Sequence, residues 1–170
     1  MPNQKKVREV MIPLKDYPHI PQWFTLRQAV AILRESTIKY AGVYKPRAAL
    51  VFNKDHRLAG ILTIRDLLKG LQLDFLQGEV PVPAAATMDD LLGPDIKQQA
   101  ERAVSEVMVP VKASVQADAS LVQALFAIIK ENVGTMPVLE DDRVVGMVRL
   151  TELFLEISRE ILEKTNEEPP

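Results

Sequence analysis

Cysteine is absent from the 170-residue sequence. Disulfides, thiolate zinc sites, iron–sulfur clusters and thiol nucleophiles are thereby excluded. Histidine is scarce, with only His19 and His56, so no metal site is expected. Charge of one sign is also lacking: 21 basic and 23 acidic side chains leave a formal net charge of −2, and no basic excess points to nucleic acid or to a membrane surface. No run approaches the ~18 consecutive apolar residues that mark a membrane-spanning helix. The opening Met1-Pro-Asn-Gln-Lys-Lys6 carries charge with no apolar stretch behind it, unlike a secretory signal, so a cytoplasmic location is expected. What is present, 47% hydrophobic and 26% charged residues, suits one compact globular domain.

The chain repeats itself. Val7-Arg-Glu-Val-Met-Ile-Pro13 returns as Val104-Ser-Glu-Val-Met-Val-Pro110, identical at five of seven positions with an offset of 97. Thr25-Leu-Arg-Gln-Ala-Val30 then matches Ser120-Leu-Val-Gln-Ala-Leu125, and Lys54-Asp-His-Arg-Leu-Ala-Gly60 matches Glu140-Asp-Asp-Arg-Val-Val-Gly146. Last, the apolar series Ile64, Leu67, Leu68, Leu71, Phe75 recurs 86 residues later as Leu150, Leu153, Phe154, Ile157, Ile161. Four collinear matches identify an internal duplication. The fall in offset from 97 to 86 gives the first copy 11 extra residues, two around Asp16–Phe24 and nine between Ser36 and Arg47.

Each copy predicts the same elements. A short strand near His19-Ile20, or Ser114-Val115, leads to a helix opened by Thr25-x-x-Gln28, or Ser120-x-x-Gln123, which are capping boxes. Leu26, Ala29, Val30 and Leu33, and likewise Leu121, Ala124, Leu125 and Ile128, then fall on one helix face. Two short apolar runs joined by charged turns follow, Ala48–Phe52 with Leu58–Leu62 and Met136–Leu139 with Val144–Val148. A second amphipathic helix starts near Arg65 and near Thr151. The order is βαββα. Units of roughly 60 residues are marginal alone, so the copies are expected to bury a face against each other. The expected division is residues 1–77, a linker over 78–101 rich in proline and alanine, residues 102–165, and a disordered tail at 166–170. Ile96–Val107 is expected to lead helically into the second copy.

Chemistry concentrates where the hairpin meets the second helix, at Gly60-Ile-Leu-Thr-Ile-Arg-Asp66. Thr63-x-x-Asp66 is itself a capping pattern and accounts for both residues without a ligand. Arg65, however, stands in the first helical turn, where the macrodipole disfavours a cation unless an anion is near. Copy two has Arg149 in place of Thr63. Backbone N–H groups with a guanidinium suit a phosphate, and an adjacent carboxylate suits ribose hydroxyls.

Two copies of Met-x-Pro, a capped helix, an apolar hairpin and Gly-h-h-Thr-x-x-Asp, where h is hydrophobic, resemble a tandem pair of CBS domains, or Bateman module, of the cystathionine β-synthase domain family. The resemblance covers roughly residues 5–77 and 102–163. It implies an α+β fold of two pseudo-symmetric βαββα repeats packed sheet to sheet as one module. It also implies a regulatory role, binding AMP, ADP, ATP or S-adenosylmethionine in clefts between the repeats, with modules pairing into disc-shaped homodimers. By position, Asp66 matches the ribose carboxylate and Thr63 the ribose or phosphate hydroxyl, with Arg65 placed for phosphate. Ala113, Ser114 and Val115 come to the adenine through backbone groups, with Thr135 and Met136 on its other side. The second site, near His19 and Ile20, departs from the pattern, because Arg149 replaces the Thr and Glu152 the Asp. One good site and one altered site are expected.

Other residues read more plainly. His19, between Pro18 and Pro21, is expected to face solvent; His56 is expected in a polar turn; Trp23 and Phe24 precede a helix cap as a hydrophobic staple does. Glu160, Glu163, Glu167 and Glu168 read as a solvated helix face and tail. With no Gly-rich phosphate loop, nucleophile–base pair or metal set, an enzyme is not expected, nor a resident cofactor. The remaining choice is between an adenosine-ligand sensor, with an effector protein as its possible reader, and a ligand-independent scaffold for dimerisation or protein interaction.

Overall fold

A computed structural model describes residues 5–39, 47–73, 78 and 81–165. Most of the first-copy extension (residues 40–46), Phe75 of the apolar series and the tail from residue 166 lie outside the described residues. In chain order the elements are β1 (Ile12–Pro13), β2 (His19–Pro21), α1 (Leu26–Lys39), β3 (Ala48–Phe52), β4 (Leu58–Thr63), α2 (Ile64–Gly70), α3 (Met88–Leu92), α4 (Ile96–Ala100), β5 (Val115–Gln116), α5 (Leu121–Lys130), β6 (Thr135–Glu140), β7 (Arg143–Arg149) and α6 (Leu150–Thr165). Among the described residues, no helix is long and apolar enough to cross a membrane.

The chain divides into two compact units, and the division does not follow the repeats. A carboxy-terminal unit combines the described residues of Met1–Tyr17 and Val111–Pro170, and an amino-terminal unit those of Pro18–Pro110. The carboxy-terminal sheet has the order β1-β7-β6-β5. Here β6 and β7 form a hairpin, β5 joins parallel to β6, and β1 lies antiparallel on β7 with Ile12 opposite Met147. Asp141 and Asp142 turn the hairpin with φ of 51° and 63°, the left-handed conformation that Asp tolerates and a two-residue turn favours. The amino-terminal sheet runs β2-β3-β4, again parallel then antiparallel. Asn53 Oδ1 accepts the Asp55 and Arg57 N–H groups in its turn, which leaves His56 exposed.

Helix starts follow the sequence. Thr25 Oγ1 accepts the Gln28 N–H at 3.2 Å while Gln28 Oε1 accepts the Thr25 N–H at 2.9 Å, and Ser120 with Gln123 does the same. Leu26, Ala29 and Leu33 of α1 enter one core; Ala124 and Ile128 of α5 enter the other. Val30, placed on the buried face by spacing, is 40% exposed. Phe24 packs on the core, as a staple residue does, while its neighbour Trp23 stays exposed. Ile96–Val107 is not one helix: α4 ends at Ala100, and a 3-10 turn spans Val104–Glu106. The linker also does more than connect, since Leu91, Ile96 and Ala100 pack against the amino-terminal core.

The division arises from an exchange. The opening segment of copy one joins the sheet of copy two, and the reverse. The Val7 and Arg8 N–H groups donate to Ala119 and Ala117 carbonyls at 2.9 and 3.0 Å; the Val104 and Ser105 N–H groups donate to Phe24 and Gln22 at 2.7 and 3.0 Å. Val7 and Val104 are fully buried, each in the core of the unit it joins. The Met-x-Pro strands finish the exchange: Ile12-Pro13 lies along β7, while Val109 trades two backbone hydrogen bonds with Ile61 of β4. A Cβ on Gly146 would sit 2.5 Å from the Ile12 carbonyl oxygen, and one on Gly60 would sit 2.8 Å from that of Val109. Both glycines are therefore required by a backbone crossing close over the strand.

Candidate ligand site

In the amino-terminal unit, β4 delivers Thr63 to the start of α2 in an extended conformation, with φ −81° and ψ 157°. Its hydroxyl accepts the Asp66 N–H at 2.9 Å and donates to Asp66 Oδ2 at 2.6 Å. The capping pattern is thus realised, and it orients the carboxylate. Asp66 stays half-buried, and its Oδ1 accepts no hydrogen bond among the described residues. Arg65 is exposed, with no hydrogen-bond or ion-pair partner among the described residues. Arg47 closes the back of the corner, its carbonyl accepting the Ile64 N–H at 2.9 Å. The extension within the first copy therefore ends directly at this corner.

The carboxy-terminal unit builds the equivalent corner from different side chains. The Gly134 carbonyl accepts the Leu150 N–H at 2.9 Å, as Arg47 does for Ile64. Arg149 ends β7 opposite Thr135 in the ladder. Its guanidinium pairs with Glu152, Nε lying 3.0 Å from each carboxylate oxygen and Nη2 closing on Oε1. Both side chains are mostly buried, at 18% and 21% exposure. Where the first corner offers a carboxylate oxygen and a cation, this one has spent both on each other.

The remaining sequence-assigned residues divide by burial. Ser114 is exposed and Ala113 half-buried ahead of β5, which begins one residue later than expected, at Val115. Thr135 is half-buried, but the side chains of Val115 and Met136 belong to the carboxy-terminal core. Ile20 is likewise a core side chain, 1% exposed. Its neighbour His19 is exposed, as expected, and sits in strand β2 with its ring edge-on to Phe52 at 6.2 Å. For Val115, Met136 and Ile20, only backbone atoms remain for a ligand.

The CBS domain family model matches residues 7–73 and 104–159. A CBS domain-containing protein of unknown function from Bacillus anthracis has a similar structure, with a TM-score of 0.68 at 16% identity, covering 92% of this chain and 95% of that one. A putative acetoin utilization protein from Vibrio cholerae gives a TM-score of 0.61 at 23% identity over 98% and 99%. The cytosolic domain of the Mg2+ channel MgtE in complex with ATP gives 0.62 at 18% identity, covering 90% of this chain and 48% of that one. The chain thus spans about half the length of the magnesium-transport structures it matches, 48% in each. No curated protein matches the sequence. With duplicated motifs, two βαββα sheets and family matches over both copies, the chain belongs to the CBS domain family.

Proposed function

We propose that this chain is a cytoplasmic, non-catalytic regulatory module that binds an adenosine-containing ligand, AMP, ADP, ATP or S-adenosylmethionine, and reports it through the geometry of a dimer or a protein partner. The observation that carries this reading is the Asp66 carboxylate, aimed by Thr63 and left with one oxygen open. That oxygen accepts from ribose hydroxyls, and Arg65 meets phosphate. The family resemblance assigns the adenine to Ala113, Ser114, Val115, Thr135 and Met136. With Val115 and Met136 side chains in the core, that contact runs through backbone groups, Ser114 and Thr135. Support for a nucleotide comes from the related fold of the channel domain in complex with ATP. The corner of Arg149 and Glu152, with His19 and Ile20, binds weakly or not at all. Control of a partner needs differential affinity for two arrangements, and about 1–3 kcal/mol of coupling suffices.

One observation favours a second reading, a ligand-independent scaffold: the Thr63–Asp66 hydrogen bonds account for both residues as a helix cap. Calorimetry and thermal shift with AMP, ADP, ATP, S-adenosylmethionine and guanosine controls separate the two. A ligand at 100 times its Kd adds about 2.7 kcal/mol of apparent stability. If no adenosine ligand moves the melt, the scaffold reading replaces the sensor.

A further inference from the structure

Residues 81–96 have no counterpart in the duplication, so building βαββα twice does not require them. The fold uses part of this stretch, since Leu91 and Ile96 pack against the amino-terminal core. Local bonds hold the rest in shape. Thr87 Oγ1 accepts the Asp90 N–H at 3.2 Å and Asp90 Oδ2 accepts the Thr87 N–H at 2.9 Å, which opens α3, and Gly93 ends it at φ 74°. While Leu91 turns to the core, Met88 and Leu92, four residues apart and so on one face of the helix, stay in water at 69% and 37% exposure, as does Val82 at 60%. Pro83, Ala85, Ala86, Asp89, Asp90 and Pro94 line a cleft of about 720 Å³ in the same stretch. The stretch holds three aspartates, Asp89, Asp90 and Asp95, and no Lys or Arg, within a chain whose whole net charge is −2. None of the three has an ion-pair partner among the described residues.

We infer that this face of the linker docks a basic segment of a partner protein, one that sets lysine or arginine beside a large apolar side chain. This rests on the partner reading above and adds the partner's chemistry. The cleft suits a cation carried on an aliphatic stem: prolines and alanines pack against the methylenes while the Asp89 carboxylate takes the charge. Met88 and Leu92 receive the apolar anchor, and the unbranched methionine adapts to the shape it meets. Charge decides against the other occupants. A second copy set on this surface by a two-fold axis brings like charges together. Nucleic acid and an anionic membrane are repelled for the same reason. A small free amine leaves Met88 and Leu92 unused.

The test takes the full chain without nucleotide and follows its backbone amides by NMR as a short amphipathic peptide of leucine and lysine is added up to millimolar concentration. The same peptide with glutamate in place of lysine is the control. The lysine peptide is expected to shift the amides between Val82 and Ile96, and the glutamate peptide to leave them in place. Met88→Ala with Leu92→Ala is expected to weaken binding about tenfold, and Asp89→Asn about threefold. These side chains lie outside the core and leave the Thr87–Asp90 cap intact, so the melting temperature is expected to hold. Added salt, which needs no variant, is expected to weaken binding as well. Glu160→Gln with Glu163→Gln, exposed acids of the carboxy-terminal unit, is expected to change nothing. The inference is overturned by an unmoved linker at millimolar peptide, by equal binding of the glutamate peptide, or by wild-type affinity in the Met88→Ala, Leu92→Ala variant. Shifts at these amides that grow with protein concentration alone give the face to a second copy and overturn it too. A failed nucleotide screen leaves peptide binding standing, and an unmoved linker leaves nucleotide binding standing, so the two readings fail separately.

Discussion

Arg149 and Glu152 neutralise each other at the start of α6, in the places held by Thr63 and Asp66 at the start of α2. A mostly buried pair of this kind is costly to break from one side, because the survivor is left charged without its partner. Glu152→Ala is therefore expected to lower stability by about 1–2 kcal/mol, whereas Arg149→Thr with Glu152→Asp is expected to cost less and to recreate an open corner. Calorimetry of the double variant checks this through stoichiometry, which is expected to rise from one adenosine ligand per chain to two.

At the open corner the two roles of one carboxylate can be pulled apart. Asp66→Asn keeps the shape and loses the charge. It is expected to weaken adenosine-ligand binding at least about tenfold, the loss of one charge-assisted hydrogen bond, while the melting temperature without ligand changes little. Thr63→Ala removes the cap oxygen and is expected to cost about 1 kcal/mol with or without ligand.

The two strand glycines should be intolerant where a third is not. Gly60→Ala and Gly146→Ala drive a methyl into backbone oxygens of the crossing segments and are expected to cost about 1–3 kcal/mol or more. At Gly134 a Cβ meets nothing within 4 Å, so Gly134→Ala is expected to be neutral or to stabilise by about 0.4–1 kcal/mol. Urea denaturation of the three variants reads the difference.

Val7 and Val104 each fill the core of the other sequence copy. Either truncation to alanine is expected to cost about 2 kcal/mol. Hydrogen exchange locates the damage: Val7→Ala is expected to deprotect β6, β7 and α5 first, and Val104→Ala to deprotect β3, β4 and α1.

Acid should weaken the fastening of the exchanged segment. Arg8 donates to Asp118 at 2.8 and 3.1 Å and to Glu140 at 2.7 Å. The hydrogen bond from Arg8 holds the Asp118 carboxyl below its ordinary value. A depressed carboxylate stabilises the fold above the ordinary aspartate value, about 4, and loses that contribution as pH falls through its folded value. The site is open to solvent, so salt should reduce the effect. Asp118→Asn is expected to flatten this part of the acid limb in urea midpoints taken across the acid range.

The repeating elements were legible in the sequence because capping boxes, helix periodicity and hairpin turns act over a few residues. Thr25, Ser120 and the turn at Asp141 read directly. The pairing of Val7 with Ala119, or of Ile12 with Met147, has no local signature, and alignment of the copies groups each opening segment with its own repeat without showing which sheet it joins. The glycines carried the missing signal: a strand glycine marks close backbone approach, and Gly60 and Gly146 each sit under a Met-x-Pro segment. At the site, Thr63 and Asp66 were visible as a cap. That Arg149 and Glu152 close on each other was not, since substitution alone shows which groups are present and not where they spend their charge.

The exchanged segments also govern how the chain can be cut. A fragment ending at residue 77 would keep a strand whose sheet is gone and expose a β4 whose covering segment, Met108–Pro110, is gone too. The complementary fragment would fail in mirror image. Expressed together, the two pieces would each hold what the other lacks, so the protein is expected to reassemble from halves that do not fold singly.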